Sequence, residues 1–278
     1  MLQDIEPYQM HNEFRVQTPK PSDYLIVYNG ENTLLKKVGD NYVVPRFSDF
    51  DAAKSLTFPC HYLLSIDDEA YFLLDDENRS RVAPEGFEFV GNRTFRMLCS
   101  PLERLGGATS AHIARWESLN KFCGRCGVAM ARGSRERAMV CPACHNTVYP
   151  RISPVVIVAV HNGNELLMAR NLDHPDKTRL FLISGFVEIG ESLEQAVARE
   201  VMEEAGIRVK NIQYFGSQPW PFSESLIAGY TAELDGDATL HIQESEIERA
   251  CWVKREDIPP YDTSVSISCC LIEAFRKG

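Results

Sequence analysis

The chain has 278 residues, of which 44% are hydrophobic and 24% charged, the balance of an ordinary globular protein. Its 39 acidic and 29 basic residues give a formal charge of −10, which argues against broad electrostatic binding to nucleic acid. An anionic substrate remains compatible with this charge where metal ions supply the positive potential. No run of about 18 apolar residues suggests a transmembrane helix, and the N-terminus lacks the apolar segment of a signal peptide, so we expect a cytoplasmic protein.

Residues 1–98 have the pattern of a small β-rich domain. Short apolar runs are separated by turn residues such as Asn29-Gly30, and they read YLIVYNG, NYVVPRF, HYLLSI, AYFLLDD and FEFVGNRTF. No catalytic constellation stands out in this region, and its role is not predicted.

Residues 99–148 combine a helix with a four-cysteine module. The spacing of apolar residues in SAHIARWESLNKF predicts a helix that leads directly to the first of two C-x-x-C pairs. Each pair places two thiolates on one tight turn, and two such turns can close a tetrahedral site. We therefore predict structural zinc bound by Cys123, Cys126, Cys141 and Cys144. A redox pair or a disulfide is the weaker interpretation, because one C-x-x-C suffices for redox chemistry.

The segment between the cysteine pairs, MARGSRERAM, carries three arginines. A zinc ribbon can bind nucleic acid, so Arg132, Arg135 and Arg137 are candidates for weak phosphate contacts. A solvated loop is an equally good interpretation.

Residues 149–278 mix strands and helices irregularly, which predicts an α+β domain. SPVVIVAVHNGNELLMARN indicates two strands joined by a turn at Asn162-Gly163. Three further strands are indicated by IRVKNIQYFGS, LIAGYTAEL and ACWVK, and a last helix is expected near Val265 to Arg276.

A helix from about Leu193 to Ala205 is the most informative element of this region. Ser192 is its predicted N-cap, Gln195 completes a capping box, and Gly206 ends it.

Three glutamates occupy unusual positions on this helix. At about 100° per residue, Glu200 and Glu204 fall inside the apolar arc and Glu203 lies at its margin. A carboxylate in such an arc must be paired, protonated or bound to metal, and a cluster of like charges favours a cation among them. Oxygen ligands prefer Mg²⁺ or Mn²⁺, so the pattern favours a divalent-metal site over a solvated acidic edge.

The loop before the helix extends this pattern to G-x5-E-x7-R-E-V-x-E-E-x-G-I, from Gly185 to Ile207. The stretch resembles the Nudix box at every defined position. The resemblance implies the Nudix fold, an α/β/α sandwich with a mixed sheet, for about residues 150–278. It also implies hydrolysis of a nucleoside diphosphate linked to another moiety, with catalytic Glu200, Glu203 and Glu204 holding metal ions against a pyrophosphate. Arg199 is expected to orient a glutamate.

Two further features narrow the resemblance. SQPWPFSESLI, which begins at Ser217, and the four-cysteine module upstream together resemble the NADH pyrophosphatase family, whose signature reads SQPWPFPxS. Ser223 stands where the signature has proline, and Ile227 where methionine is usual. These departures leave the hydrolytic machinery intact but change a loop that shapes the nucleotide pocket.

The resemblance implies cleavage of NAD(H) into NMN(H) and AMP, removal of the NAD cap from RNA 5′ ends, and a homodimer with sites built from both subunits. Mg²⁺ or Mn²⁺ is implied at Ser184 (through its carbonyl), Glu200, Glu203, Glu204 and Glu246. Stacking on a base or nicotinamide is implied for Tyr149 and Phe186. The full substrate-binding set that it implies is Glu136, Tyr149, Phe186, Gln218, Pro219, Trp220, Pro221, Phe222, Ser223, Glu224, Ser225, Glu246 and Ser268.

Two alternatives stay open on the sequence. One is a Nudix hydrolase of another dinucleotide or sugar nucleotide, such as ADP-ribose. The other is an RNA-binding zinc ribbon with a vestigial Nudix domain, against which the intact glutamates and the net negative charge both weigh.

Overall fold

The structure is a computed structural model that describes residues 1–50, 56–75, 83–172 and 179–278. The chain folds as two compact units. The ribbon unit comprises Ile5–Arg151 and Pro221–Glu224, and the sheet unit comprises Met1–Asp4, Ile152–Trp220 and Ser225–Gly278. Within the described ranges, no helix has both the length and the apolar character needed to cross a membrane.

In the described residues of the ribbon unit there are three small sheets, in the strand orders β1-β5-β6-β2, β4-β3-β7 and β10-β9-β8. Its strands are β1 (Met10–His11), β2 (Tyr24–Ile26), β3 (Asn32–Val38), β4 (Asn41–Val43), β5 (Cys60–Ile66), β6 (Glu69–Leu74), β7 (Phe87–Gly91), β8 (Ala131–Arg132), β9 (Met139–Val140) and β10 (Thr147–Val148). The apolar runs of the first 98 residues thus contain strands. Strand β3 was missing from the prediction, since its buried Leu34-Leu35 pair is followed directly by two lysines.

Helix α1 (Pro101–Leu119) packs closely on two aromatic side chains of the N-terminal region because of two adjacent glycines. A Cβ atom on Gly106 would lie 2.4 Å from Cζ of Tyr71, and one on Gly107 would lie 2.4 Å from Cε1 of Phe95. Both aromatic side chains are fully buried. The helix therefore gives up helix propensity at these two positions in exchange for aromatic packing.

The structure ends α1 earlier than the sequence pattern suggests. The helix stops at Leu119, where the Asn120 side chain donates a hydrogen bond to the carbonyl of Trp116 over 2.7 Å. Leu119 and Phe122 are exposed, although their spacing continues the buried series of Ile113 and Trp116. The amide of Asn120 competes with the next helical turn, as short polar side chains often do.

Four charged side chains form a cluster within the ribbon unit. The His61 ring on β5 has Nδ1 2.8 Å from Oδ1 of Asp75 and Nε2 2.9 Å from Oε1 of Glu117. Arg132 on β8 lies 2.7 Å from Asp75 and 2.9 Å from Glu117. Because ionised carboxylates only accept hydrogen bonds, both ring nitrogens must carry protons. His61 is therefore an imidazolium. With Arg132 it connects strand β5 and helix α1 to strand β8, which lies between the two cysteine pairs.

The pKa shifts of the cluster agree with that charge state. Burial disfavours the charged ring, but the hydrogen bonds to Asp75 and Glu117 outweigh it and raise the pKa of His61. Burial also opposes ionisation of the two carboxyls, yet His61 and Arg132 hold the pKa values of Asp75 and Glu117 below their usual range.

The sheet unit is built on a six-stranded mixed sheet. The strand order is β14-β15-β11-β12-β16, with β13 also paired to β11. Only the β11–β15 pair is parallel among the described pairings of this sheet. The elements are β11 (Ser153–Asn162), β12 (Glu165–Asn171), β13 (Ile183–Phe186), α2 (Leu193–Ala205), β14 (Val209–Trp220), β15 (Ser225–Leu234), β16 (Ile247–Lys254) and α3 (Ile267–Lys277).

Strand β11 shows how the layers form, because its alternate residues point to opposite faces of the sheet. Val156 and Val158 join a core cluster with Val197 and other residues of α2. Ile157 joins a second cluster with Leu271 and other residues of α3. The sheet is thus covered by one helix on each face. This confirms the predicted α/β/α sandwich with a mixed sheet.

We expect the stability of the ribbon unit to depend on pH through His61. A raised folded-state pKa contributes stability in full below the unfolded pKa of about 6.5, and this contribution is lost as pH rises through the folded value. The melting temperature of His61→Gln should therefore fall furthest below wild type near pH 6, by about 2–4 °C or more. The deficit should shrink toward pH 9, as thermal melts across that range can measure.

His112→Gln provides the control, because its ring contacts the carbonyl of Arg151 and no carboxylate contact is described for it. A deficit of His61→Gln that stays constant from pH 6 to 9 would contradict the imidazolium assignment.

Candidate active site

The loop and helix that carry the glutamates are held together by local hydrogen bonds. Ser192 accepts from the N–H of Gln195, and the Gln195 side chain accepts from the N–H of Ser192 over 2.8 Å. Gly206 ends the helix with φ +70°, a conformation that favours glycine. The predicted capping box and C-terminal stop of α2 are confirmed.

The Arg199 guanidinium sits at the centre of this arrangement and uses all five of its N–H donors. Nε and Nη2 donate to the two carboxylate oxygens of Glu191, over 2.6 and 2.9 Å. Nη1 donates to Glu200 over 2.7 Å and to Glu203 over 2.9 Å, and Nη2 also donates to the carbonyl of Phe186. Glu191 above all raises the pKa of Arg199. The arginine therefore orients glutamates and has no donor left for another ligand.

Of the three predicted catalytic glutamates on α2, two are buried and one is not. Glu200 is 9% exposed and Glu204 6%, whereas the Glu203 side chain is half-exposed. The burial of Glu200 and Glu204 agrees with their predicted positions inside the apolar arc. Burial raises the pKa of Glu200, partly offset by Arg199. Burial and the neighbouring Glu200, Glu246 and Glu203 raise the pKa of Glu204 to about 8.

A divalent cation fits this donor set. The carboxylates of Glu200, Glu203, Glu204 and Glu246 lie within electrostatic range of one another. Both desolvation and repulsion by the other three destabilise the ionised form of the buried Glu204. A cation among these oxygens would remove the repulsion, and Mg²⁺ or Mn²⁺ prefers such ligands. The carboxylates converge less tightly than the cysteines, because no three of them have oxygens all within 4.8 Å of one another in the described part of the chain.

Gly185 allows Glu200 to reach this position. A Cβ atom at residue 185 would lie 2.0 Å from Cδ of Glu200 and 2.1 Å from its Oε1. Only glycine leaves room for the carboxylate against strand β13. The predicted metal ligand Ser184 is next to it on the same strand and is exposed.

The remaining predicted residues of the sheet unit differ in their access to solvent. Phe186 is 57% exposed, and Pro219 and Glu246 are also exposed. Gln218 and Ser225 are buried, with Gln218 at 0% exposure. Trp220 and Ser268 are half-buried.

The other predicted substrate contacts belong to the ribbon unit. Tyr149 is 57% exposed, and its hydroxyl donates to Glu136 over 3.0 Å. Glu224 has a left-handed backbone, with φ +56°, and forms an ion pair with Arg115 of α1 over 2.5 Å. Pro221 is buried, Phe222 and Glu224 are half-buried, and Ser223 is exposed.

Four sulfur atoms define the zinc site of the ribbon unit. The Sγ atoms of Cys123, Cys126, Cys141 and Cys144 all lie within 4.8 Å of one another. The Sγ atoms of Cys126 and Cys141 are 3.4 Å apart, and those of Cys123 and Cys144 are 3.6 Å apart. A zinc–sulfur bond of about 2.3 Å gives tetrahedral edges of about 3.8 Å, so a zinc ion fits. Neighbouring backbone N–H groups, that of Arg125 above all, stabilise the thiolate of Cys123 and lower its pKa. The four-cysteine structural zinc site is therefore supported.

Two of the three arginines between the cysteine pairs are occupied inside the ribbon unit. Arg132 pairs with Asp75 and Glu117. Arg137 donates to the carbonyls of Asn12 and Leu63. Their main contacts are thus internal, an arrangement that neither sequence-based interpretation of this loop foresaw.

Sequence reasoning passed over Glu191 and Arg115 as functional candidates. Glu191 holds Arg199 through two hydrogen bonds, and its fixed place six residues after Gly185 was the available signal. Arg115 is separated by 109 positions from its partner Glu224, and nothing in the local pattern marks it.

The fold and the glutamate site define a Nudix hydrolase, and comparison with known proteins agrees. Residues 151–268 match the NUDIX domain family, and residues 118–149 match the NADH pyrophosphatase zinc ribbon domain. The NAD-capped RNA hydrolase NudC of Pseudomonas fluorescens is 41% identical over 215 residues, which span 77% of this chain and 76% of that protein. The chain belongs to the NADH pyrophosphatase family of the Nudix superfamily.

Other relatives are matched over a shorter stretch. The NAD-capped RNA hydrolase NudC of Salmonella typhi is 43% identical over 161 residues, and the match spans 58% of this chain and 62% of that protein. A crystal structure of a Nudix hydrolase from Nitrosomonas europaea aligns with 22% identity and a TM-score of 0.49, covering 56% of this chain and 90% of that one.

Gly185→Ala should weaken divalent-metal binding. The added methyl group would overlap the Glu200 carboxylate and push it out of the cluster. We expect Mn²⁺ affinity, measured by electron paramagnetic resonance, to fall about 10–100-fold. Gly216→Ala is the control in the same sheet, since its Cβ would meet nothing closer than 4.0 Å. Equal Mn²⁺ affinities for the two variants would contradict the role given to Gly185.

Cys144→Ser should remove the zinc and destabilise the protein. Elemental analysis should show zinc bound to wild type and lost from the variant, and the melting temperature should fall, because zinc binding contributes folding free energy. Cys99→Ser, at an exposed cysteine outside the site, should change neither quantity. An unchanged melting temperature for Cys144→Ser would exclude a structural role for the metal.

Proposed function

We propose that this protein hydrolyses the pyrophosphate bond of NAD(H) to give NMN(H) and AMP, and removes the NAD cap from RNA 5′ ends. The observation that carries the proposal is the glutamate cluster of α2, held by Arg199 and approached by Glu246, in a chain with the family's zinc ribbon. Relatives named NAD-capped RNA hydrolase NudC support the choice of substrate.

The proposed mechanism assigns the residues separate tasks. Glu200, Glu203, Glu204 and Glu246, with the carbonyl of Ser184, would hold divalent ions. When bound, Mg²⁺ or Mn²⁺ neutralises pyrophosphate charge and acidifies water for attack on phosphorus. Arg199 fixes Glu200 and Glu203 in place. The half-exposed Glu203 side chain is more open to solvent than those of Glu200 and Glu204, which suits a role in accepting a proton from the attacking water.

Substrate recognition is proposed for the exposed aromatic side chains. Phe186 and Tyr149 each present more than half of their surface to solvent, so either can offer a flat face to a base or nicotinamide. The Glu136 carboxylate accepts a hydrogen bond from Tyr149, which limits how this ring can turn. The family resemblance alone supports the other members of the proposed pocket, which are Pro219, Trp220, Pro221, Phe222, Ser223, Glu224, Ser225 and Ser268.

Three wider properties belong to the same proposal. The protein would act as a homodimer whose sites combine both subunits, it would use Mg²⁺ or Mn²⁺, and it would work in the cytoplasm. Each follows from the family resemblance or the composition of the chain.

Replacing Glu203 or Glu204 should slow turnover strongly without unfolding the protein. We expect Glu203→Gln and Glu204→Gln to lower kcat for NADH by about 100-fold or more, because each removes charge from the metal site. Melting temperatures should stay close to wild type. Glu244→Gln, at an exposed position two residues before Glu246, controls for the loss of one negative charge. Full activity in Glu203→Gln or Glu204→Gln would refute the assigned roles.

A rate comparison tests the substrate. Purified protein with Mn²⁺ is given NADH, NAD⁺, ADP-ribose or a short RNA with a 5′ NAD cap, with Glu203→Gln as the blank. We expect AMP from the free dinucleotides and a 5′-monophosphate RNA from the capped one. ADP-ribose turned over far faster than NADH would favour the alternative hydrolase. Tight RNA binding that survives in Glu203→Gln, without turnover in wild type, would favour the RNA-binding module.

A further inference from the structure

Gln218 of the signature strand β14 has both halves of its amide engaged inside the sheet unit. Its Nε2 donates to the carbonyl of Val265 over 2.6 Å, and its Oε1 accepts from the N–H of Ile267 over 2.7 Å. The residue is 0% exposed. A side chain in this state offers no surface and little hydrogen-bonding capacity to a substrate.

The two partners of Gln218 flank the N-cap of α3. The first N–H groups of a helix have no partner within the helix and need one from elsewhere. Ser266 caps the helix and accepts from the N–H of Ser268 over 3.2 Å. Gln218 accepts from the preceding N–H, that of Ile267, and so caps the helix from 49 residues away in sequence.

A second contact fixes the same helical turn. The Ile267 side chain is buried against β15 at Gly229, where a Cβ atom would lie 2.8 Å from Cδ1 of the isoleucine. The backbone of Ile267 is thus held by Gln218 and its side chain by the space at Gly229. The next residue along α3 is Ser268, so its position relative to β14 follows from these two contacts.

We propose that Gln218 is a positioning residue, which sets the start of α3 and with it Ser268 for substrate binding without touching the substrate. The inference rests on the proposed function, in which Ser268 lies at the nucleotide pocket. It reassigns Gln218 from the substrate-contacting group to the support behind that group. Pro219, the next residue of β14, is exposed. Successive side chains of the strand therefore face the helix at Gln218 and the solvent at Pro219.

Gln218→Glu gives a test with a pH signature. The ionised carboxyl still accepts from Ile267 but has no proton for the Val265 carbonyl, whereas the protonated carboxyl can make both bonds. Relative to wild type at the same pH, KM for NADH should rise about tenfold or more at pH 8. That ratio should fall toward unity at pH 6, because burial raises the pKa of the new carboxyl. The kcat ratio should change less than the KM ratio.

Gln213→Glu is the matched control, since Gln213 lies exposed on the same strand and its KM ratio should stay near one at every pH. Gln218→Met, of similar shape but unable to form either bond, should raise KM with no recovery at pH 6. Adding Ser268→Ala to Gln218→Met should raise KM less than the two single effects combined, because both act through one position.

Hydrogen exchange on the wild-type protein provides an independent measurement. The Ile267 amide should be protected although it belongs to the first residue of a helix. A KM ratio of Gln218→Glu that does not vary with pH, additive effects in the double variant, or an unprotected Ile267 amide would each overturn the proposal. If Gln218→Glu fails to fold, hydrogen exchange at the Ile267 amide and the KM of Gln218→Met still test the proposal. If wild-type protein is inactive on NADH, the proposed function is refuted instead. The exchange result would still test whether Gln218 holds the N–H of Ile267.

Discussion

The candidate site depends on one guanidinium group. Arg199 uses every N–H donor it has to join the loop residue Glu191, the helix residues Glu200 and Glu203, and the backbone at Phe186. An arginine with all five donors satisfied has one accessible orientation, so the carboxylates it touches are also fixed. Its single positive charge does not balance the acidic groups around it. The excess negative charge leaves the site prepared for a divalent cation, which is the role that the proposed chemistry requires.

Tight packing behind the site complements this network. Gly185 lets the Glu200 carboxylate lie against β13, and Gly229 admits Ile267 against β15. Both contacts need glycine because a Cβ atom would approach within 3.0 Å of its neighbour. The sheet thus supports each helix by close approach, while side chains such as Glu203 and Phe186 keep their access to solvent. A binding site gains precision when the residues behind it are fixed in this way.

The ribbon unit is held by different interactions. Four thiolates suit a zinc ion, and a cluster of two cations and two carboxylates ties the ribbon to the N-terminal sheet and α1. Arg132 and Arg137 donate hydrogen bonds to groups inside the ribbon unit, so direct hydrogen bonds from this loop to an RNA phosphate would fall mainly to Arg135. In a chain with net charge −10, this arrangement favours recognition of a capped end over general binding of a polyanion.

The sequence alone determined the elements whose signals are local. The capping box at Ser192 and Gln195, the stop at Gly206 and the angular positions of Glu200 and Glu204 all depend on residues within a few turns of one helix, so periodicity was enough to predict them. The four-cysteine zinc site could also be predicted from the sequence, because the two C-x-x-C spacings are typical of this chemistry. The end of α1 was placed too late, because apolar spacing continued past the point where Asn120 closes the helix.

Only the tertiary structure decided which side chains support the site and which face outward. Gln218 and Pro219 are neighbours in the same signature, yet one is fully buried against α3 and the other exposed. The partners Arg115 and Glu224, or His61 and Glu117, come from distant parts of the chain. Hydrogen bonds and ion pairs of this kind require atoms within about 3 Å, and only the folded chain brings distant residues that close.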